Sequence, residues 1–244
     1  MKVMILLVAF FLSGGAFAAA ETKEFDGNGL QNLKIKNSSG DVRITLSTDQ
    51  KAIVIADKVK FDKDCKLEMK RFGDDLLISV EGDSWIGSWF GGKDCKVNFE
   101  VKVPSKIAAS IKNGSGDVEL IGTQGAVDIS VGSGNVAINA DSKDVNVKTG
   151  SGSVQAKGLS GNAFVKTGSG DITLAYAVAP AKAEVDVKTG SGDATLTVPA
   201  ATKLLSDFKA GSGRLVTEVG DTANADFKVS MRAGSGDLTI KKAE

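Results

Sequence analysis

Histidine is absent from the 244 residues, cysteine occurs twice, tyrosine once and proline three times. Without histidine there is no Ser-His-Asp or Cys-His catalytic set, and a catalytic zinc site loses its commonest ligand. Scarce proline excludes collagen and polyproline linkers. Lys+Arg and Asp+Glu both number 30, so no overall charge imbalance points to nucleic acid. Long apolar runs are missing beyond the first twelve residues. What is abundant is glycine, 29 residues, well above the usual ~7%. With so little proline, that excess predicts many glycine turns.

The one apolar run is an export signal by its layout. Lys2 supplies the positive start, Met4 to Leu12 the apolar stretch, and Ala16-Phe17-Ala18 and Ala18-Ala19-Ala20 both fit an A-x-A cleavage site. The run is shorter than the roughly 20 apolar residues of a membrane span. No cysteine lies near the cleavage site to carry a lipid. The expectation is a signal over residues 1–20, then an exported chain in the periplasm, at the cell surface or outside the cell. In an oxidising compartment the two cysteines, Cys65 and Cys95, predict a structural disulfide.

A repeat dominates the remainder. Gly-Ser-Gly recurs at Gly114, Gly132, Gly150, Gly168, Gly190, Gly211 and Gly234, at intervals of 18, 18, 18, 22, 21 and 23 residues. A degenerate copy, Ser38-Ser39-Gly40-Asp41, lies 76 residues before the first. Aligned, the copies show apolar columns. Three residues before the motif stand Ile35, Ile111, Ile129, Val147, Val165, Val187, Phe208 and Met231. Four after its first residue stand Val42, Val118, Val136, Val154, Ile172, Ala194, Leu215 and Leu238. Each unit therefore reads as a period-two strand, a glycine turn and a second period-two strand.

A repeat of this length matches one coil of a parallel β-solenoid (β-helix), whose identical positions stack at ~4.8 Å. An antiparallel sandwich also has short strands and turns, but it has no reason to repeat one residue class at each aligned position. The predicted fold class is all-β: residues 107–244 form the solenoid, and residues 21–106 hold the first coil and a strand-rich cap. Strands are expected over 52–61, 66–72, 76–81 and 96–103, as one meander tied by Cys65–Cys95.

The Ser-Gly-Asp-Val copies, Val103-Pro104-Ser105-Lys106 ahead of the first full one, and the export signal together resemble a bacterial family of exported β-strand-repeat proteins that carries the label "putative adhesin". The resemblance covers about residues 25–244. It implies a β-helix-like fold on or outside the cell envelope and transfers no catalytic residue.

Four residue sets are candidates for chemistry. Two before the motif stand Lys36, Lys112, Ser130, Lys148, Lys166, Lys188, Lys209 and Arg232. The alternation turns them outward, and such a ladder suits a polyanion such as acidic polysaccharide or lipopolysaccharide phosphate, with nucleic acid disfavoured; it equally suits a solvated face that discourages edge pairing. Asp41, Asp117, Asp171, Asp193 and Asp237 follow the turns. Their spacing is twice that of calcium-binding nonapeptide repeats, so a turn-stabilising role is expected and no cofactor or metal is predicted. Asp128, Asp186 and Asp207 share another column, and Asp186 beside Asp207 would suit a polysaccharide-cleaving enzyme. Trp85, Ile86, Trp89 and Phe90 crowd a glycine-rich segment and suit an envelope protein, a glycan or a membrane surface, or else an apolar cap on the solenoid end. The expected function is a non-enzymatic, adhesin-like binding protein. A polysaccharide-active enzyme and a periplasmic structural or stress factor are the alternatives.

Overall fold

The computed structural model describes residues 20–82 and 95–243. Among the described residues there are 21 strands and no helix. The N-terminal part contains β1 (Glu21–Asp26), β2 (Asn32–Asn37), β3 (Val42–Leu46), β4 (Lys51–Lys60), β5 (Cys65–Phe72), β6 (Asp75–Gly82) and β7 (Lys96–Val103). The repeat then supplies seven pairs. They are β8 (Ala108–Ser115) with β9 (Val118–Ile121), β10 (Val127–Ser133) with β11 (Val136–Asn139), β12 (Asp144–Ser151) with β13 (Val154–Leu159), and β14 (Asn162–Ser169) with β15 (Ile172–Tyr176). After them come β16 (Ala183–Ser191) with β17 (Ala194–Val198), β18 (Leu205–Ser212) with β19 (Leu215–Thr217), and β20 (Phe227–Ser235) with β21 (Leu238–Lys242).

The strands form two mostly parallel sheets, and each pair contributes one strand to each sheet. The aligned columns pair in register: Ile111 with Ile129, Ile129 with Val147, Val147 with Val165, and Val165 with Val187. All five are buried. The second column pairs likewise in the other sheet, Val118 to Val136 to Val154 to Ile172 to Ala194. Both columns face the space between the sheets, which holds one continuous apolar core.

The two glycines of each motif answer different constraints. Gly152, the second, has φ +139°, a conformation that a β-carbon strongly disfavours. Gly150, the first, is extended, but a β-carbon there would stand 2.5 Å from the carbonyl oxygen of Gly132 in the adjacent coil. The turn thus needs one glycine for its dihedral and one for the close approach of stacked backbones.

At both ends, spatial order departs from chain order. The expected meander between residues 52 and 103 is not one. β6 pairs parallel with β2 in one sheet and β7 pairs parallel with β3 in the other, so together they add a layer outside the first motif copy. β4 and then β1 extend one sheet antiparallel, and β5 extends the other. At the far end the last pair is inserted. β20 lies between β16 and β18, and β21 between β17 and β19. The physical reason is legible in the inward side chains. Phe227, Val229 and Met231 of β20 fill a fully covered layer, whereas Ser206, Phe208 and Ala210 of β18 tolerate the outermost one.

Candidate functional site

The lysine column is the most continuous chemical feature on the surface. Its observed order across the sheet is Lys36, Lys112, Ser130, Lys148, Lys166, Lys188, Arg232, Lys209. Arg232 therefore stands between Lys188 and Lys209, a reordering that follows from the inserted β20. The strand alternation sends the neighbouring Val147 and Val165 inward and these cations outward.

Not all the cations are free. Lys36 lies 3.4 Å from Glu81, Lys188 2.6 Å from Asp186 and Lys209 3.9 Å from Asp207. Lys112, Lys148 and Lys166 have no carboxylate partner among the described residues. Beside them runs the column of first glycines, Gly114, Gly132 and Gly150, which presents bare backbone. Lysines and glycines together line a groove of about 640 Å3, with Lys36, Lys112, Lys148 and Lys166 on its wall and Ser130 at the one neutral step. Parallel strands stand ~4.8 Å apart, so the groove offers positive charge at a near-constant repeat over a shelf that a flat chain can approach.

The buried column just inside the groove escaped the alignment of apolar positions. Asn37, Asn113, Thr149, Thr167 and Thr189 stand immediately before the motif and are buried. Asn113 Nδ2 donates to the carbonyl oxygens of Gly40 at 2.9 Å and Gly116 at 3.1 Å. The Thr149 hydroxyl is shared between the carbonyls of Ser151 in its own turn and Gly134 in the preceding one, and the Thr167 hydroxyl likewise between Ser169 and Gly152. Asn37, Asn113, Thr149 and Thr167 thus donate to corner carbonyls from inside. The signal was present in the sequence as a small-polar column next to the motif.

The aspartates after the turns clip neighbouring coils together. Asp41, Asp117, Asn135, Asp171, Asp193 and Asp237 each accept a hydrogen bond on Oδ1 from the backbone N–H at the same position of the next coil, at 2.8–3.0 Å. The expected turn role is thus met across coils rather than within one turn. No group of three or more metal-binding side chains gathers among the described residues.

Asp186 and Asp207 are not neighbours, contrary to the adjacency expected from their shared column. Asp186 pairs with Ser230, and Ser230 with Asp207. The inserted strand separates them, and each has a lysine on its own strand. Asp128 accepts from Asn146 Nδ2 at 2.8 Å. The Cys65–Cys95 disulfide is formed and spans 30 residues. Trp85, Ile86, Trp89 and Phe90 lie outside the described residues. The described residues contain no helix long and apolar enough to cross a membrane.

Two solved structures align with nearly the whole chain, and the one with the higher TM-score has the same fold. A "putative adhesin" from Bacteroides fragilis is 16% identical, with 93% of this chain and 98% of that one covered and a TM-score of 0.53. A "putative cell adhesion protein" from Clostridium sporogenes is 16% identical, with 92% and 99% covered and a TM-score of 0.41. No curated protein matches the chain. The Toastrack DUF4097 family matches residues 91–241. The chain belongs to the Toastrack DUF4097 family.

Proposed function

We propose that this chain is an exported, non-enzymatic binding protein of the adhesin-like kind, a rigid β-solenoid that holds a linear polyanion along its lysine groove. In this reading residues 1–20 are removed on export, residues 21–106 supply the first coil and the cap, and residues 107–244 the repeating coils. The protein acts in the periplasm or at the cell surface. The observation that carries the reading is the file of Lys112, Lys148 and Lys166, unpaired among the described residues and set along a shelf of glycine backbone. Surface cations within one Debye length reinforce one another's field, so a file of them attracts a charged chain more than isolated lysines do. Names of the adhesin kind among structures of the same fold accord with a binding role.

The test is a titration of the mature protein with dextran sulfate, followed by fluorescence anisotropy across a salt series. Affinity should fall steeply as salt rises. Changing Lys112, Lys148 and Lys166 together to Gln should weaken binding about tenfold or more at low salt and flatten the salt dependence, because fewer counterions are then exchanged. Binding indifferent to both would overturn the reading. The aromatic segment is a second proposed contact: Trp85→Ala with Trp89→Ala should weaken attachment to an envelope surface without lowering the unfolding temperature.

A further inference from the structure

The lysine groove has a parallel neighbour on the same sheet face. Two residues before the lysine column, the outward side chains run Lys34, Ser110, Asp128, Asn146, Phe164 in register across β2, β8, β10, β12 and β14. They border a shallow trough of about 280 Å3. Small side chains make its floor: Ala108, Ser110 and Ala126 leave the surface low between Lys34 at one end and Phe164, 38% exposed, at the other. Groove and trough therefore span the same five strands, with the row of lysines between them.

That row has one low point. Ser130 stands on the middle strand, β10, between Lys112 and Lys148. Lys36 and Lys112 are one strand spacing apart, ~4.8 Å, as are Lys148 and Lys166, whereas Lys112 and Lys148 are two apart. Asp128, two residues before Ser130 on the same face of β10, borders the trough. An occupant of the groove can therefore reach across Ser130 into the trough.

The chemistry changes across this gap. Asp128 Oδ1 accepts from Asn146 Nδ2 at 2.8 Å, and Asp144 Oδ1 from Asn162 Nδ2 at 2.9 Å. Neither carboxylate has an ion pair among the described residues, and each keeps a second oxygen for an O–H donor. Their charge repels the polyanion that the lysines attract, so the trough suits an uncharged group. Carboxylates, an amide, a serine hydroxyl and an exposed phenyl ring around an alanine floor match a pyranose. Its hydroxyls meet the acceptors, and its C–H face meets Phe164.

We infer that the trough is a subsite for an uncharged pyranose branch. The ligand of the groove is then an acidic glycan whose charged backbone follows the lysines while a neutral side sugar crosses at Ser130. The inference rests on the polyanion reading of the groove and names the class of polyanion. A polyphosphate or an unbranched polyuronate has no group to place in the trough.

The experiment compares two probes on the mature protein by isothermal titration calorimetry: polyglucuronate, and the same backbone carrying single glucosyl branches. Wild type should bind the branched chain about tenfold more tightly, the scale of a hydrogen bond or two to charged groups. Ser130→Lys supplies the residue type found elsewhere in its column. It should bind the unbranched chain at least as tightly as wild type, yet close the gap and abolish the branch preference. Ala126→Leu fills the exposed floor of the trough and should also abolish the preference, with affinity for the unbranched chain unchanged. Circular dichroism checks that both variants are folded. Equal affinity of wild type for the two probes, or a branch preference that survives in either folded variant, overturns the inference. Affinity for the unbranched chain that ignores salt and the joint Lys112, Lys148 and Lys166 substitution overturns the polyanion reading instead, so the two failures are distinguishable.

Discussion

The two ends of the stack solve the same problem differently. Every strand pair leaves an apolar face that only another layer can cover. At the N-terminal end, β1 and β4 extend one sheet and β5 the other, in antiparallel pairing that ends the repeat. Cys65 and Met69 of the outermost strand β5 are buried, and the disulfide ties β5 to the start of β7. Lys23 Nζ donates to the Met69 carbonyl at 2.5 Å, and Arg71 donates to the carbonyls of Asp26, Asn28 and Gly73. At the other end β18 has no fully buried residue and β19 is exposed throughout. Closure is therefore added by dedicated strands and cross-links; the Gly-Ser-Gly unit does not supply it.

Core disruption should show the largest contrast. Val165→Asp buries an unpaired charge in a central coil and should cost about 4 kcal/mol or more. At the open end Leu215→Asp, in the other apolar column, should cost less than about 1 kcal/mol because water reaches it. Urea unfolding of both variants measures the difference. Equal losses would mean that the last coil is covered in solution.

Removing the N-terminal tie ranks next. Cys65→Ser with Cys95→Ser should lower stability by about 3–4 kcal/mol in the chain-entropy description of a 30-residue loop. Differential scanning calorimetry should show that loss for the double variant, and the same loss for wild type after reduction. Alkylation of wild type under denaturing, non-reducing conditions should label no thiol.

A finer contrast lies between stacked neighbours. Met231→Ala should cost about 2–5 kcal/mol, the range for a covered core side chain. Phe208→Ala, although it removes a larger side chain, should cost less, since only β20 stacks against β18 and covers it on one side. The reverse ranking would place β18, not β20, inside the stack.

The smallest effect is electrostatic. The Lys34 ammonium, 2.5 Å from Asp75, and the Asn32 amide together hold the Asp75 carboxyl below its ordinary value, joining β2 to β6. A carboxyl depressed in the folded state adds stability above its unfolded pKa, and that contribution disappears as pH falls through the folded value. Asp75→Asn should therefore make the acid limb of the stability profile shallower below about pH 4. It should change little at neutral pH, because the pair is partly exposed. Unfolding midpoints at pH 3 and 7 test this.

Much of this architecture was legible in the residues. The inward columns were readable because parallel stacking repeats an environment at each aligned position, so Ile35 meets Ile111 even across the intervening 76 residues. Strand positions within that interval were readable from alternation, but their partners were not. The β6–β7 layer carries no Gly-Ser-Gly corner, and pairing across sheets leaves no local trace. The inversion of β18 and β20 was hidden for a related reason. Both carry the same motif, and only the weaker inward set Ser206, Phe208 and Ala210 marks β18 as the outer strand. The lysine groove was visible as a column, but its free segment was not. Which lysines meet a carboxylate depends on neighbouring strands and, for Lys36, on Glu81 in a layer that the repeat does not announce.

The order of the last layers is the point on which the open end and the groove both depend, and cysteine pairs test it directly. Lys188, Arg232 and Lys209 occupy one outward column, and the native cysteines are already bridged. Adjacent strands place their α-carbons within disulfide reach, while strands separated by a third stand beyond the ~7 Å limit. Oxidation of the Lys188→Cys/Arg232→Cys and Arg232→Cys/Lys209→Cys variants should form an intramolecular disulfide, and oxidation of Lys188→Cys/Lys209→Cys should not. A bridge in the third variant together with none in the first would contradict the inserted β20 and the exposed β18 edge.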